Sequence, residues 1–223
     1  MHRWFAALCL LAFVPVLGAC LPQDGLNDSY LRLYAESNPT PDHFYECHGF
    51  HCARHDHIEL SAAEWQSVRA LFNPPAADAR DERRQIAQAL AQLQRLVGQR
   101  TGTAVHQWTR HGGLIDGNPG GDLTQLDCID ESVNSWTYLT MMARDGLLKF
   151  HRVGPLSAAD SLLFFHFRNT AVLIANADGA LFAVDPTLVD ETEPPPIFPL
   201  ALWRERWPPV VPAADRNEPR HGA

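Results

Sequence analysis

Residues 166–187 read HFRNTAVLIANADGALFAVDPT, and the fold turns on them. Thr170–Asn176 and Ala180–Asp185 are short runs rich in apolar residues, with the tight-turn sequence Ala177-Asp178-Gly179 between them. That spacing predicts a β-hairpin. Upstream, Leu147–Val153 and Leu162–Arg168 have the same character and read as two more strands. Further back the period becomes helical. Ile129, Val133, Trp136, Leu139 and Ala143 line one face of a helix that Asp127 caps and that ends near Gly146. Asp81–Gly98 repeats Ile86, Leu90, Leu93 and Val97 along one stripe, with Gly98 as its stop. Ser61-Ala62-Ala63-Glu64 is a capping box, flanked by Leu60 and Trp65 at the staple positions. Leu200–Trp207 predicts one more short helix. Helices come first and strands after, so the expected class is α+β, with N-terminal helices packed on an antiparallel sheet.

The chain has 223 residues, enough for one domain, placed at residues 46–211. Apolar residues make up 46% and charged residues 20%, an ordinary globular mix. A formal charge of -8, from 18 basic and 26 acidic residues, lacks the electrostatic footprint of a nucleic-acid-binding protein. No stretch reaches the roughly 18 apolar residues of a transmembrane helix. Residues 212–223 read as a frayed polar tail.

The first residues read as an address. Met1-His2-Arg3 is a short basic start, and Trp4–Ala19 is a nearly continuous apolar run that ends in small residues. That is the pattern of a secretory signal peptide, residues 1–19. Its exit, Leu17-Gly18-Ala19-Cys20, resembles a bacterial lipobox, in which Cys20 carries lipid and becomes the mature N-terminus. Ordinary cleavage after Ala19 is the alternative. The lipidated form places the folded part on the periplasmic side of the cell envelope. Leu21 resembles outer-membrane sorting. Residues 20–45, rich in Pro, Asn, Asp and Ser, read as a tether, with a helical stretch at Ser29–Glu36.

Of the five cysteines, Cys9 leaves with the signal and Cys20 carries lipid. Cys47 and Cys52 are close in sequence, and in an oxidising compartment a close pair is most simply a disulfide. His48, His51, His55 and His57 surround that pair. The composition permits a zinc site, but the spacing matches no common finger, so a disulfide-closed loop with solvated histidines is the simpler expectation. No metal and no cofactor is expected.

Cys128 remains alone, either a reactive thiol or an inert, buried small hydrophobe. Three residues fall in a suggestive order: Cys128 at a helix start, His166 in a strand, and Asp185 at the end of the next strand. A helix N-terminus favours a thiolate, an imidazole can take and return the thiol proton, and a carboxylate can fix the imidazole's orientation. Asp127, Asp130 and Glu131 act against this, because negative neighbours raise a thiol pKa. The glycine-rich loop 99–124 precedes Cys128, where a functional loop is expected. His151 is a second candidate base.

This order resembles the transglutaminase-like and papain-like cysteine hydrolases, and 166–187 looks like their His-strand-turn-strand-Asp block. More narrowly, the chain resembles a group of uncharacterised proteobacterial lipoproteins. The shared pieces are Cys47-His48-Gly49, Glu82-Arg83, Asp127-Cys128-Ile129-Asp130-Glu131-Ser132, Asn134, Thr170-Ala171-Val172, Val184-Asp185 and Pro199-Leu200. The resemblance covers nearly all of residues 45–208. It implies a papain-like or transglutaminase-like core and a thiol-dependent hydrolase or acyl transferase. Cys128 would attack an envelope peptide, a protein glutamine or a wall-peptide amide, with His166 as base and Asp185 as orienter. One departure stands out. The group carries a histidine just before the Thr-Ala-Val strand, where this chain has Arg168 and Asn169. The rival reading is therefore a catalytically degenerate lipoprotein of the same fold that only binds. A metal-dependent protein built around residues 47–57 is a third.

Overall fold

The computed structural model describes residues 26–27, 29–105, 121–161, 166–190, 192–205 and 209–215, without the side chains at 26–30, 160–161, 166–167 and 214. The signal segment, Cys20, the glycine-rich stretch 106–120 and Trp207 lie outside these. The elements are β1 (Leu26–Asn27), α1 (Ser29–Tyr34), β2 (Phe44–His48), β3 (Arg54–Ile58), α2 (Ala62–Ala70) and α3 (Ala79–Thr101). They continue with α4 (Cys128–Arg144), β4 (His151–Val153), β5 (Leu156–Ser161), β6 (His166–Ala175), β7 (Leu181–Val184), β8 (Ile197–Pro199) and α5 (Leu200–Glu205). All strand pairs are antiparallel, so the chain is α+β. The six-stranded sheet runs β1-β5-β6-β7-β8, with β4 also on β6, and β2 pairs with β3 separately. Among the described residues no helix is long and apolar enough to cross a membrane.

The expected hairpin is β6–β7, in register from Ala171 opposite Val184 to Ile174 opposite Leu181. The strands before it differ from expectation. Leu156–Ser161, which reads as loop, is a strand bonded to β1 and β6 on its two edges. Thr170–Asn176 starts four residues earlier, at His166, so β6 runs unbroken through Arg168-Asn169. That polar pair does not end the strand because each side chain finds a partner on its own face. Pairing also begins upstream of residue 46, with Leu26 opposite Ser157.

The helices follow their caps. Both capping-box bonds of Ser61 and Glu64 form at α2. Asp78 caps α3, accepting from the amides of Arg80 and Asp81. Gly98 does not stop α3; it lies inside the helix because the chain returns over it, and a Cβ there would sit 2.7 Å from the Ala104 nitrogen. The stop is Gly102, at φ 83°. Ile86, Leu90, Leu93 and Val97 are all buried against α4 and one face of the sheet. Each such side chain contributes about 1.5–3 kcal/mol of burial. The other face carries a second cluster of Val172, Ala183, Phe198, Leu200 and Trp203. Strand alternation thus divides β6 and β7 between two cores: Ala171, Leu173 and Val184 meet α4, while Val172 and Ala183 meet α5.

Candidate functional site

Cys128 lies in the first turn of α4, whose start is fixed by two carboxylates. Asp127 Oδ1 accepts from the amides of Ile129 and Asp130, each at 2.9 Å, and Asp130 Oδ2 accepts from the Asp127 amide at 3.1 Å. The same pair also holds the turn between β2 and β3. Phe50 N donates to Asp130 Oδ2 at 2.9 Å, Cys52 N to Asp130 Oδ1 at 2.6 Å, and His51 N to Asp127 Oδ2 at 3.0 Å. This turn is left-handed at four successive residues, with φ of 82° at Gly49, 71° at Phe50, 56° at His51 and 50° at Cys52. A non-glycine residue held left-handed costs roughly 1–2 kcal/mol. Charge-assisted bonds of this kind offset that cost, and the expected disulfide joins Cys47 to Cys52 across the turn. Burial and the neighbouring Asp127 push Asp130 above the ordinary carboxylate range, although the amides of Cys52, Asp127 and Phe50 draw it back.

Across from Cys128, β6 presents Asn169. Its side-chain amide donates to Cys128 Sγ at 3.8 Å, and the residue is buried. Burial first, and the adjacent Asp127 second, push the Cys128 thiol up to about 12; the Asn169 donors pull the other way without offsetting them. At pH 7 such a group is overwhelmingly the neutral thiol. Asp185 is a lesser contributor in the same direction.

Asp185 belongs to the other side of the β6–β7 pair. Its Oδ2 accepts from Trp203 Nε1 at 2.6 Å, and its Oδ1 accepts from Thr187 N at 3.0 Å and Thr187 Oγ1 at 2.6 Å. Burial raises this carboxyl above its ordinary value against those bonds. Arg168 joins it there. Its guanidinium lies 4.5 Å above the Trp203 ring, and Nη2 donates to the Trp203 carbonyl at 3.1 Å. Of the three residues singled out by sequence, Cys128 therefore meets Asn169, and Asp185 meets Trp203 and Thr187. His166 begins β6 opposite Ser161, but its side chain lies outside the described residues. His151 is not the second base. It pairs with Ala175, six residues along β6 from Asn169, or about 20 Å at strand rise. It serves instead as a partner of Glu82.

The histidines around the disulfide are used locally. His48 is buried, with Nδ1 on the Leu123 carbonyl and Nε2 3.1 Å from Asp56. His51 Nδ1 is 3.0 Å from Asp127. With both sulfurs in the disulfide, no thiolate ligand remains in this segment. Among the described residues no group of three or more His, Cys, Asp or Glu side chains is arranged to hold a metal ion.

A second buried cluster ties α4 to β2. Asn134 Oδ1 accepts from Cys47 N at 2.8 Å, and its Nδ2 donates to the Cys47 carbonyl at 2.8 Å and to Glu46 Oε1 at 2.9 Å. Tyr138 Oη donates to Glu46 Oε2 at 2.6 Å. Burial dominates and raises Glu46 well above its usual value; Tyr138 opposes this, and Glu131, Asp130 and Asp56 add to it. A carboxyl raised on folding stabilises fully at acid pH, and the contribution fades as pH climbs from the unfolded value through the folded one. Glu46→Gln removes that loss. The urea midpoint of the variant should exceed the parent's at pH 8, by a margin that shrinks toward pH 5. A margin independent of pH would refute the assignment.

In the sequence Asp127 was legible only as a cap and Asp130 only as a charge near Cys128. Their hold on a turn nearly 80 residues away has no local signal, and neither does the bond from Trp203 to Asp185. Comparison with protein-family models, curated proteins and solved structures finds no match to this chain.

Proposed function

We propose that this chain is a lipid-anchored module of the bacterial cell envelope. It uses a transglutaminase-like scaffold to bind an amide-bearing partner such as a peptide, and does not cleave it. The observation that carries this reading is the carboxamide of Asn169 at 3.8 Å from Cys128 Sγ, beside a thiol pushed up to about 12. A carboxamide cannot accept the thiol proton at neutral pH, whereas it can donate and accept hydrogen bonds with another amide. Asp127 at the helix cap adds a negative charge where a thiolate would have to form.

The experiment is the pH dependence of Cys128 alkylation by iodoacetamide. In the binding module the rate rises tenfold per pH unit through pH 9, with no plateau near neutrality. A plateau below pH 7 that disappears in His166→Ala would establish the alternative, a cysteine hydrolase or acyl transferase with Cys128, His166 and Asp185 in its site. That second reading draws support from the placement of Cys128 at the start of α4, packed on β6, and of Asp185 just after β7.

The anchor is Cys20, and its destination is the outer membrane, facing the periplasm. Alkyne-palmitate fed to expressing bacteria should label the parent protein and leave Cys20→Ala unlabelled. Equal labelling of both would remove the lipid from this account.

A further inference from the structure

One exposed cluster takes no part in the site above. On the outer face of the β2–β3 hairpin, His57 Nε2 and His43 Nδ1 face each other at 2.8 Å, with ring centroids 4.6 Å apart. Tyr45 packs beside both rings, at 5.8 Å from His43 and 5.3 Å from His57. The backbone fixes this meeting: Tyr45 is in register with His57, and the Thr40–His43 bridge closes the chain just ahead of β2.

Two ring nitrogens at that distance share one proton, one as N–H and the other as lone pair. The outer nitrogen of His57, Nδ1, is 3.7 Å from Glu59 Oε1. A carboxylate there favours the proton on Nδ1 and leaves Nε2 as a lone pair aimed at His43. That negative charge beside the imidazole pair reduces the cost of placing a cation between the rings.

We propose that His43 and His57 form a surface site for a borderline divalent transition metal, with His43 Nδ1 and His57 Nε2 as ligands, water completing the shell, and Glu59 adding negative charge beside His57. Binding takes the place of the hydrogen bond between the rings: the His43 proton moves from Nδ1 to Nε2 through solvent, both rings stay neutral, and no net proton is released. Opening the nitrogens by a few tenths of an ångström suits a metal–nitrogen bond of roughly 2.0–2.1 Å. An imidazole-and-water shell prefers Cu²⁺ to Ni²⁺ and Zn²⁺. His55 is not one of the two ligands; its ring is stacked on Tyr45, with centroids 5.0 Å apart.

The test is titration of the full chain with Cu²⁺ and with Zn²⁺, with electron paramagnetic resonance on the copper form. One ion should bind per chain, tighter for Cu²⁺, with hyperfine coupling from two imidazole nitrogens. His43→Ala or His57→Ala should weaken binding by at least about tenfold, and Glu59→Gln by less than either. His55→Ala should bind within about twofold of the parent, since its ring is not a ligand in this site. All four positions are exposed, so circular dichroism should be unchanged. Parent-like binding in His43→Ala, or an equal loss in His55→Ala, overturns the proposal. The first outcome puts the ion elsewhere on the chain, and the second leaves only a diffuse histidine surface.

Discussion

Asn169→His should raise the rate of Cys128 alkylation at pH 7 by about two orders of magnitude. The reason is the place that residue occupies. From β6 its side chain reaches Cys128 Sγ. An imidazole there can take the thiol proton and remain beside the thiolate as a cation, and each unit of lowered thiol pKa yields ten times more thiolate. Asn169→Ala is the companion variant, because it opens the same space without supplying a base. The parent and Asn169→Ala should label at similar slow rates, with the histidine variant far above both. If the alanine variant accelerates as much as the histidine one, access rather than proton transfer governs the thiol. Peptide or ester hydrolysis should stay weak even in the histidine variant. Asp185, the carboxylate that would steady the new ring, is bonded to Trp203 and Thr187.

Glu82→Ala should destabilise the fold by about 3–5 kcal/mol, the range for removing one partner from a buried, paired charge. Glu82 is fully buried in α3 and collects four donors from the segment leading into β4. These are Lys149 N at 2.6 Å, Phe150 N at 3.0 Å, His151 N at 2.9 Å and His151 Nδ1 at 2.9 Å. The next residue, Arg83, covers the Phe182 ring at 4.1 Å and brings Nη1 to 3.4 Å from His151 Nε2. Truncation leaves three amides and an imidazole without their acceptor. Burial pushes the Glu82 pKa up, but His151 and the Lys149 and Phe150 amides outweigh it, and the net shift is downward from 4.5. A carboxyl lowered on folding stabilises above its unfolded value, and the contribution disappears as pH falls through the folded one. The parent should therefore lose stability below about pH 4.5, and the gap between parent and Glu82→Ala should narrow there. Urea unfolding at pH 7 and pH 3.5 measures both. A pH 7 loss under 1 kcal/mol would mean that water takes over the four donors.

The helices and the β6–β7 hairpin were legible because each carried a local signal: the Asp127 cap, the Ser61–Glu64 box, the α3 stripe, the Ala177–Gly179 turn. Strand β3 was not. Arg54–His57 are all exposed, so RHDHI shows none of the alternation by which burial marks a strand. Strand β5 was missed for a related reason. Its small and polar residues contribute little burial, and backbone bonds to β1 and β6 hold it. Within the site, Cys128 at a helix start was readable from the cap. Asp185 as a partner of Trp203 was not, because strand parity at the end of β7 shows only once the register with β6 is known. Several pieces of the lipoprotein resemblance prove to be joints of the fold. Glu82 fastens β4 to α3, Asn134 fastens β2 to α4, and Thr170 Oγ1 donates to the Val184 carbonyl at 2.8 Å. That is a structural reason for those residues, independent of any chemistry.

The shared hold of Asp127 and Asp130 on two distant segments has a consequence for assembly. The first turn of α4 is not self-sufficient: its carboxylates are crowded, and the amides of residues 50–52 and the His51 ring complete their partners. A fragment starting after residue 60 keeps every residue of that helix, yet it leaves two acidic groups facing each other at the helix's opening, so such a fragment should fray there first. The amino-terminal hairpin and the central helix thus complete each other's hydrogen bonding.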